Sequence, residues 1–172
     1  MTPLFDAVKE YKKIKARFHM PSHGGVKRFG RSAGLYASAP FDVTELSFSD
    51  NLSSPSGVIL AAEQLAAKAY GAEHTLFFAG GATDAVQSAL YALKDKKTAF
   101  LGDMHKSFHS AARLFDLAVQ ECASLQEIPA DAEVVCVTSP DYYGRTKDIA
   151  SVAAACAEKG AILVVDEAHG AH

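Results

Sequence analysis

Near the end of the chain a four-residue apolar run, Ile162-Leu-Val-Val, gives way to Asp166 and Glu167, then to Ala168, His169, Gly170, Ala171 and His172. A carboxylate at the end of an apolar strand needs a partner, because burying it unpaired costs several kcal/mol. A protonated pyridine nitrogen, a Mg²⁺ ion carrying a nucleotide, or a set of backbone amides would each serve. The string Asp-Glu-Ala-His also occurs in helicases, where it holds Mg²⁺ behind a P-loop, but no Gly-Lys-Ser/Thr occurs anywhere in this chain. Three further clusters could do chemistry. Gly80-Gly81-Ala82-Thr83 has the glycines and the free amides that suit a phosphate at a helix N-terminus, or that simply make a tight turn. His105 and His109 stand four apart, a spacing that could bind zinc, although no His-Glu-x-x-His motif and no cysteine at ligand spacing accompanies them. His105 could equally stack on a flat heteroaromatic ring or cap a helix. The last cluster is Thr138-Ser-Pro-Asp-Tyr-Tyr-Gly144.

Positioning these residues requires strands that end beside them. Apolar runs at 75–78, 98–101, 134–138 and 162–165 read as strands, the last as one buried on both faces of a parallel sheet. Helical patterns cover 3–15, where Leu4, Phe5, Val8 and Tyr11 share a face, and then 58–70, 84–93, 108–117 and 149–159. Ser56 and Asp148 stand at N-cap positions, while Gly71 and Gly160 stand where a left-handed residue ends a helix. Residues 19–56 read as a long ordered loop anchored by Phe18, Met20, Phe41, Leu46, Phe48 and Leu52; residues 118–130 show no clear pattern. Strand and helix alternate without a hairpin signal, so the expected fold is α/β, a three-layer α/β/α arrangement around a mainly parallel sheet. All four polar clusters would then gather at the carboxyl edge of that sheet, where open α/β sheets bind ligands.

Composition removes several function classes. A net charge of −3 gives no electrostatic case for nucleic acid or an anionic membrane. No apolar run approaches the ~20 residues of a membrane span, and the N-terminus lacks the basic and apolar regions of a signal peptide. Cys122, Cys136 and Cys156 are widely spaced in apolar surroundings and read as reduced, buried thiols of a cytoplasmic protein.

In this order the motifs resemble the ornithine/lysine/arginine decarboxylases, pyridoxal-phosphate enzymes of the aspartate-aminotransferase (type I) fold. The pieces that carry the resemblance are Phe18-His-Met-Pro-Ser-His-Gly-Gly, Asp42-Val-Thr-Glu-Leu, Ser54-Pro-Ser-Gly, Gly81-Ala-Thr, His105-Lys-Ser, Thr138-Ser-Pro-Asp-Tyr-Tyr-Gly and Val165-Asp-Glu-Ala-His-Gly-Ala-His. They span nearly all 172 residues but only the N-terminal part of the family's sequence, without the N-terminal wing domain of its longer members. The resemblance implies pyridoxal 5'-phosphate as cofactor. Asp166 would pair with the pyridine nitrogen, His105 would stack on one ring face and Ala168 would lie against the other. Gly81, Ala82 and Thr83 would hold the phosphate. His169 would sit near cofactor or substrate, so that Asp166, His169 and His105 are the catalytic candidates, and no metal is expected. The segment from His19 to Gly25 would help shape the site across a dimer interface.

Several positions depart from the family pattern. Ala82 replaces a Ser or Thr of the phosphate turn, Ser22-His-Gly-Gly lacks a lysine, and Asp141 stands where Thr is usual. The Schiff-base lysine of the family lies in a Ser-x-His-Lys motif further along than His172, and Lys106, for which a solvent- or phosphate-facing role is expected, is not its equivalent. The expected organisation is an N-terminal helix and loop segment over 1–56, followed by an incomplete cofactor-binding domain over 57–172. The expected function is the N-terminal portion of a decarboxylase of lysine, arginine or ornithine, inactive as this chain alone. An aminotransferase or aldolase of the same fold, or a non-catalytic binding protein, are the alternatives. The implied partners are an amino-acid substrate and, in the full-length form, further copies of the chain in a homodimer or higher oligomer.

Overall fold

The computed structural model describes residues 2–25 and 38–171 and divides into two compact units, Met1–Phe77 and Phe78–His172. In the first unit, helix α1 (Pro3–Tyr11) packs against helix α2 (Val58–Tyr70), burying Val8, Ile59 and Ala67. Phe48 stacks on Tyr11 with ring centroids 4.2 Å apart, but four of the six expected loop anchors are exposed: Phe18 at 100% and Met20 at 66%, with Leu52 and Phe41 less so. Residues 26–37 of that loop lie outside the described residues. Ser56 does not cap α2. Asp50, at positive φ, turns its carboxylate onto the helix N-terminus and accepts from the amides of Ser56, Gly57 and Ile59. Burial works to raise the Asp50 pKa, yet these amides together hold the carboxyl well below the usual carboxylate range. Gly71 ends α2 at φ 66° as expected.

The second unit holds a parallel sheet of β1 (Thr98–Leu101), β2 (Val119–Cys122), β3 (Val134–Thr138) and β4 (Ile162–Asp166) in the order β2-β1-β3-β4. Side chains alternate across its faces. Phe100, Val134, Cys136 and Val164 pack under α3 (Gly81–Ala92) and α4 (Lys106–Leu114), with Leu90 and Phe108 buried there. Ala99, Leu101, Val135 and Leu163 pack under α5 (Ile149–Lys159) and the 125–132 segment, through Val152, Cys156 and Ile128. This unit is therefore a three-layer α/β/α arrangement. Asp148 caps α5, accepting from the Ser151 amide at 3.2 Å, and Gly160 closes it at φ 67°.

Three expectations need correction. Residues 75–78 form no strand; Leu76 is 69% exposed, and among the described residues no strand pairs with this stretch. The fourth strand is β2, from the segment without a clear pattern. β4 is not buried on both faces: it ends the sheet, paired only with β3 among the described residues, and its residues are half-exposed. Among the described residues no helix is long and apolar enough to cross a membrane.

Candidate functional site

The connections of the sheet create a crevice. After β1 the chain crosses by α4 on one face and moves outward to β2; after β3 it crosses by α5 on the other face and moves outward to β4. Between the carboxyl ends of β1 and β3 the chain thus departs in opposite directions, the arrangement at which open α/β sheets bind ligands. The residues following β1, β3 and β4 reach this edge. Those of Gly80–Thr83 follow no strand, so three of the four clusters converge through the sheet, and the fourth lies at the start of α3.

His105 is the N-cap of α4. Its Nδ1 accepts from the Ser107 amide at 3.3 Å and lies 2.8 Å from Ser107 Oγ. An amide can only donate, so the proton of the neutral ring is carried on Nε2. The capping role read from sequence is the one seen, and the imidazole itself is exposed. His109 points elsewhere, edge-on to Phe100 with centroids 5.7 Å apart and Nδ1 3.6 Å from Glu121. Among the described residues no group of three potential metal ligands occurs.

Asp166 is the last residue of β4, in register with Thr138 of β3. Its Oδ1 accepts from the Ala168 amide at 3.1 Å, and its carbonyl accepts from the Ser139 amide at 3.0 Å. Residues 167–171 then turn back on themselves, the amides of Gly170 and Ala171 donating to the Glu167 carbonyl. Ala168 and His169 are exposed on that turn. Thr138 links two of the clusters, since its hydroxyl also accepts from the His105 amide at 3.4 Å. Gly170 is tightly seated: a Cβ there would lie 2.7 Å from Pro140 Cδ and 3.0 Å from the Ser139 carbonyl.

Helix α3 starts at Gly81 rather than near residue 84, with Gly80 as an N-cap that offers no side-chain hydrogen bond. Gly81, Ala82 and Thr83 are exposed, so their amides face outward at the positive end of a twelve-residue helix. The Asp84 carboxylate folds back toward Gly80 but hydrogen-bonds none of these amides. Among the described residues no hydrogen bond joins this turn to His105 or Asp166.

The extra negative charge expected of Asp141 is neutralised. Its buried carboxylate accepts from the amides of Tyr143 and Arg145 at 2.9 and 3.0 Å and from Arg145 Nε at 2.7 Å. Burial works to raise its pKa; the amide and guanidinium of Arg145 and the amide of Tyr143 outweigh it and hold the carboxyl below its ordinary value. Arg145 was not singled out from sequence, although its position four residues after an aspartate was a usable sign. Thr138, Ser139 and Gly170 were seen only as parts of motifs, and their linking roles need the register of β3 against β4.

A family profile described as Orn/Lys/Arg decarboxylase, major domain, matches residues 2–119. The uncharacterised protein YaaO of Bacillus subtilis (strain 168) is 30% identical over 99% of this chain and 41% of its own length. An arginine decarboxylase of Bacillus anthracis is 29% identical over 99% of this chain and 40% of its own. The chain thus spans about two fifths of the length of the curated relatives it matches. An aminotransferase, AspB of Helicobacter pylori 26695, overlaps 50% of this chain and 27% of its own at 16% identity and a TM-score of 0.39, a likeness too slight to add to the fold. With the matched profile covering its helices α1 to α4 and strand β1, the chain belongs to the Orn/Lys/Arg decarboxylase family.

Proposed function

We propose that these residues form the cofactor-holding part of a pyridoxal 5'-phosphate-dependent decarboxylase of a basic amino acid: lysine, arginine or ornithine. The observation that carries the reading is the delivery of His105, Ser139 and Asp166 to one edge of the sheet by three adjacent parallel strands. The donor set fits the cofactor: outward amides at an uncapped, glycine-flanked helix N-terminus for a phosphate, and a strand-end carboxylate for a cationic ring nitrogen. When bound, the protonated pyridine ring supplies an electron sink for the charge left as a carboxylate departs as CO₂.

The residues then divide the work. The amides of Gly81, Ala82 and Thr83 would hold the phosphate. Asp166, its carboxylate aimed by the Ala168 amide, would pair with the pyridine nitrogen and favour its protonated form. His105, fixed at Nδ1 by Ser107, would cover one face of the ring, and the small Ala168 would leave room at the other. His169 stands ready beside the substrate. None of the lysines stands in a Ser-x-His-Lys setting, so these 172 residues bind cofactor without turning over substrate by themselves. On the family resemblance, the working enzyme is a cytoplasmic homo-oligomer.

Titration of the chain with pyridoxal 5'-phosphate and with pyridoxal, followed by visible absorbance and equilibrium dialysis, tests the phosphate half of this reading. Saturable one-to-one binding, at least tenfold tighter for the phosphorylated form, is expected. Equal affinity for the two would remove the α3 N-terminus from the site. Release of CO₂ from lysine, arginine and ornithine by a protein carrying these residues together with a Ser-x-His-Lys segment identifies the substrate.

A further inference from the structure

The crevice between β1 and β3 is spanned by an ion-pair chain that the proposed chemistry does not use. From the β3 side, Arg145 places Nε 2.7 Å from Asp141 Oδ2; the same guanidinium reaches across to Asp103 Oδ2, on the loop after β1, at 2.6 Å. Asp141 is buried and tied to its own loop by two amides, so it is a fixed anchor. Asp103 is two residues before His105. Apart from this bridge, the described hydrogen bonds hold the His105 loop to β3 only through the Thr138 hydroxyl, which accepts from the His105 amide at 3.4 Å and donates to Met104 Sδ at 4.0 Å, both long contacts. The loops also touch where Lys147 closes on Gly102, at which a Cβ would lie 2.8 Å from Nζ. The planar guanidinium serves the two carboxylates from separate nitrogens, Nε and Nη2, whereas an ammonium offers its donors from a single point.

We infer that Arg145 is a positioning residue: by joining Asp141 to Asp103 across the crevice it sets the place of the His105 loop, and so of the imidazole against a bound ring. The consequence for the cofactor rests on the reading given under Proposed function; the placing of the loop does not. Arg145 and Asp103 are largely exposed, at 61% and 68%, so the effect of the bridge is modest and salt-sensitive.

The test compares the chain with Asp103→Asn, which removes only the exposed end of the bridge. Arg145→Lys, which leaves a cation for buried Asp141, is the second variant. Hydrogen–deuterium exchange of the Met104 and His105 amides is expected to quicken in both variants while the thermal midpoint stays near that of the parent. The dissociation constant for pyridoxal 5'-phosphate is expected to rise about two- to fivefold at low ionic strength, converging with the parent value near 1 M salt. Unchanged exchange in Asp103→Asn overturns the inference, as does a fully parental Arg145→Lys. Faster exchange with unchanged cofactor affinity would also overturn the link to the imidazole. If the parent chain binds no cofactor, the functional reading fails, and the exchange rates still decide whether the bridge places the loop.

Discussion

Gly170→Ala is the most informative single change, because the structure says how far the site must move. The added methyl would sit 2.7 Å from Pro140 Cδ and 3.0 Å from the Ser139 carbonyl oxygen, where carbon–carbon contacts are most favourable at ~3.5–4.0 Å. A displacement of roughly 0.8 Å is needed to restore contact distance. The β3 side cannot supply it: Ser139 donates to the Asp166 carbonyl at 3.0 Å, and Asp141 beyond it is fastened by Arg145. The turn over residues 167–171 must shift instead, taking with it the Ala168 amide that bonds Asp166. Overpacking costs ~1–3 kcal/mol, and an exposed turn that can slide falls at the lower end, lowering the thermal midpoint by about 2–4 °C. Loss of a hydrogen bond to a charged group should weaken pyridoxal 5'-phosphate about tenfold, read by equilibrium dialysis. Gly160→Ala is the control. It strains a left-handed helix end, at φ 67° with nothing within 4 Å of the new methyl, and should lower the midpoint without changing cofactor affinity. Parental midpoint and affinity in Gly170→Ala would refute the reasoning, as would equal weakening by Gly160→Ala.

Two further outcomes follow from the electrostatics. The carboxyls of Asp148, held low first by the Ser151 hydroxyl and then by its amide, of Asp131, held low by Lys97, and of Asp141 all sit below their ordinary values. Such groups bind protons more weakly folded than unfolded, so their stabilisation is complete above the ordinary carboxylate pKa of about 4 and is lost as pH falls through the folded values. Circular dichroism against pH should show stability falling below about pH 4, less steeply in Asp148→Asn, which keeps a capping oxygen; a rise in stability on acidification would be inconsistent. For the thiols, burial pushes Cys136 up to about 12 and raises Cys122 and Cys156, so iodoacetamide at neutral pH should label none of them in the native chain and all after denaturation. Rapid native labelling of Cys136 would contradict its packing.

The parts of the fold legible in the sequence are those set by local pattern. β1 and β3 are apolar runs whose residues are buried throughout, and α5 carries its own cap in Asp148 and its own stop in Gly160. β2 was hidden because Val119-Gln-Glu-Cys122 is an edge strand with Gln120 and Glu121 in solvent, and polar residues are how edges are kept from pairing further. Residues 75–78 misled for the opposite reason: their apolar, aromatic composition suits a strand, yet among the described residues no strand pairs with them, and the Phe77 amide donates instead to the Glu63 carboxylate at 2.9 Å. The cap of α2 was assigned to Ser56 because capping patterns are local, whereas Asp50 reaches the same amides from a left-handed position several residues upstream. At the site, Asp166 and His105 were visible as strand-end residues. The bridge through Arg145 and the tight seat of Gly170 depend on which strands are neighbours, which the β2-β1-β3-β4 order decides and no local window contains.

The account stands most directly on Asp166 as the partner of a cationic ring nitrogen. The decisive measurement is the dissociation constant of pyridoxal 5'-phosphate for the chain and for Asp166→Asn, with thermal midpoints taken alongside. Asparagine keeps the shape and can still accept from the Ala168 amide, but it removes the charge. A hydrogen bond to a charged group contributes ~1.5–3 kcal/mol, so affinity should fall at least tenfold while the midpoint is kept. Unchanged affinity in Asp166→Asn, with the parent chain binding saturably, would contradict the assignment of this strand end as the cofactor's anchor.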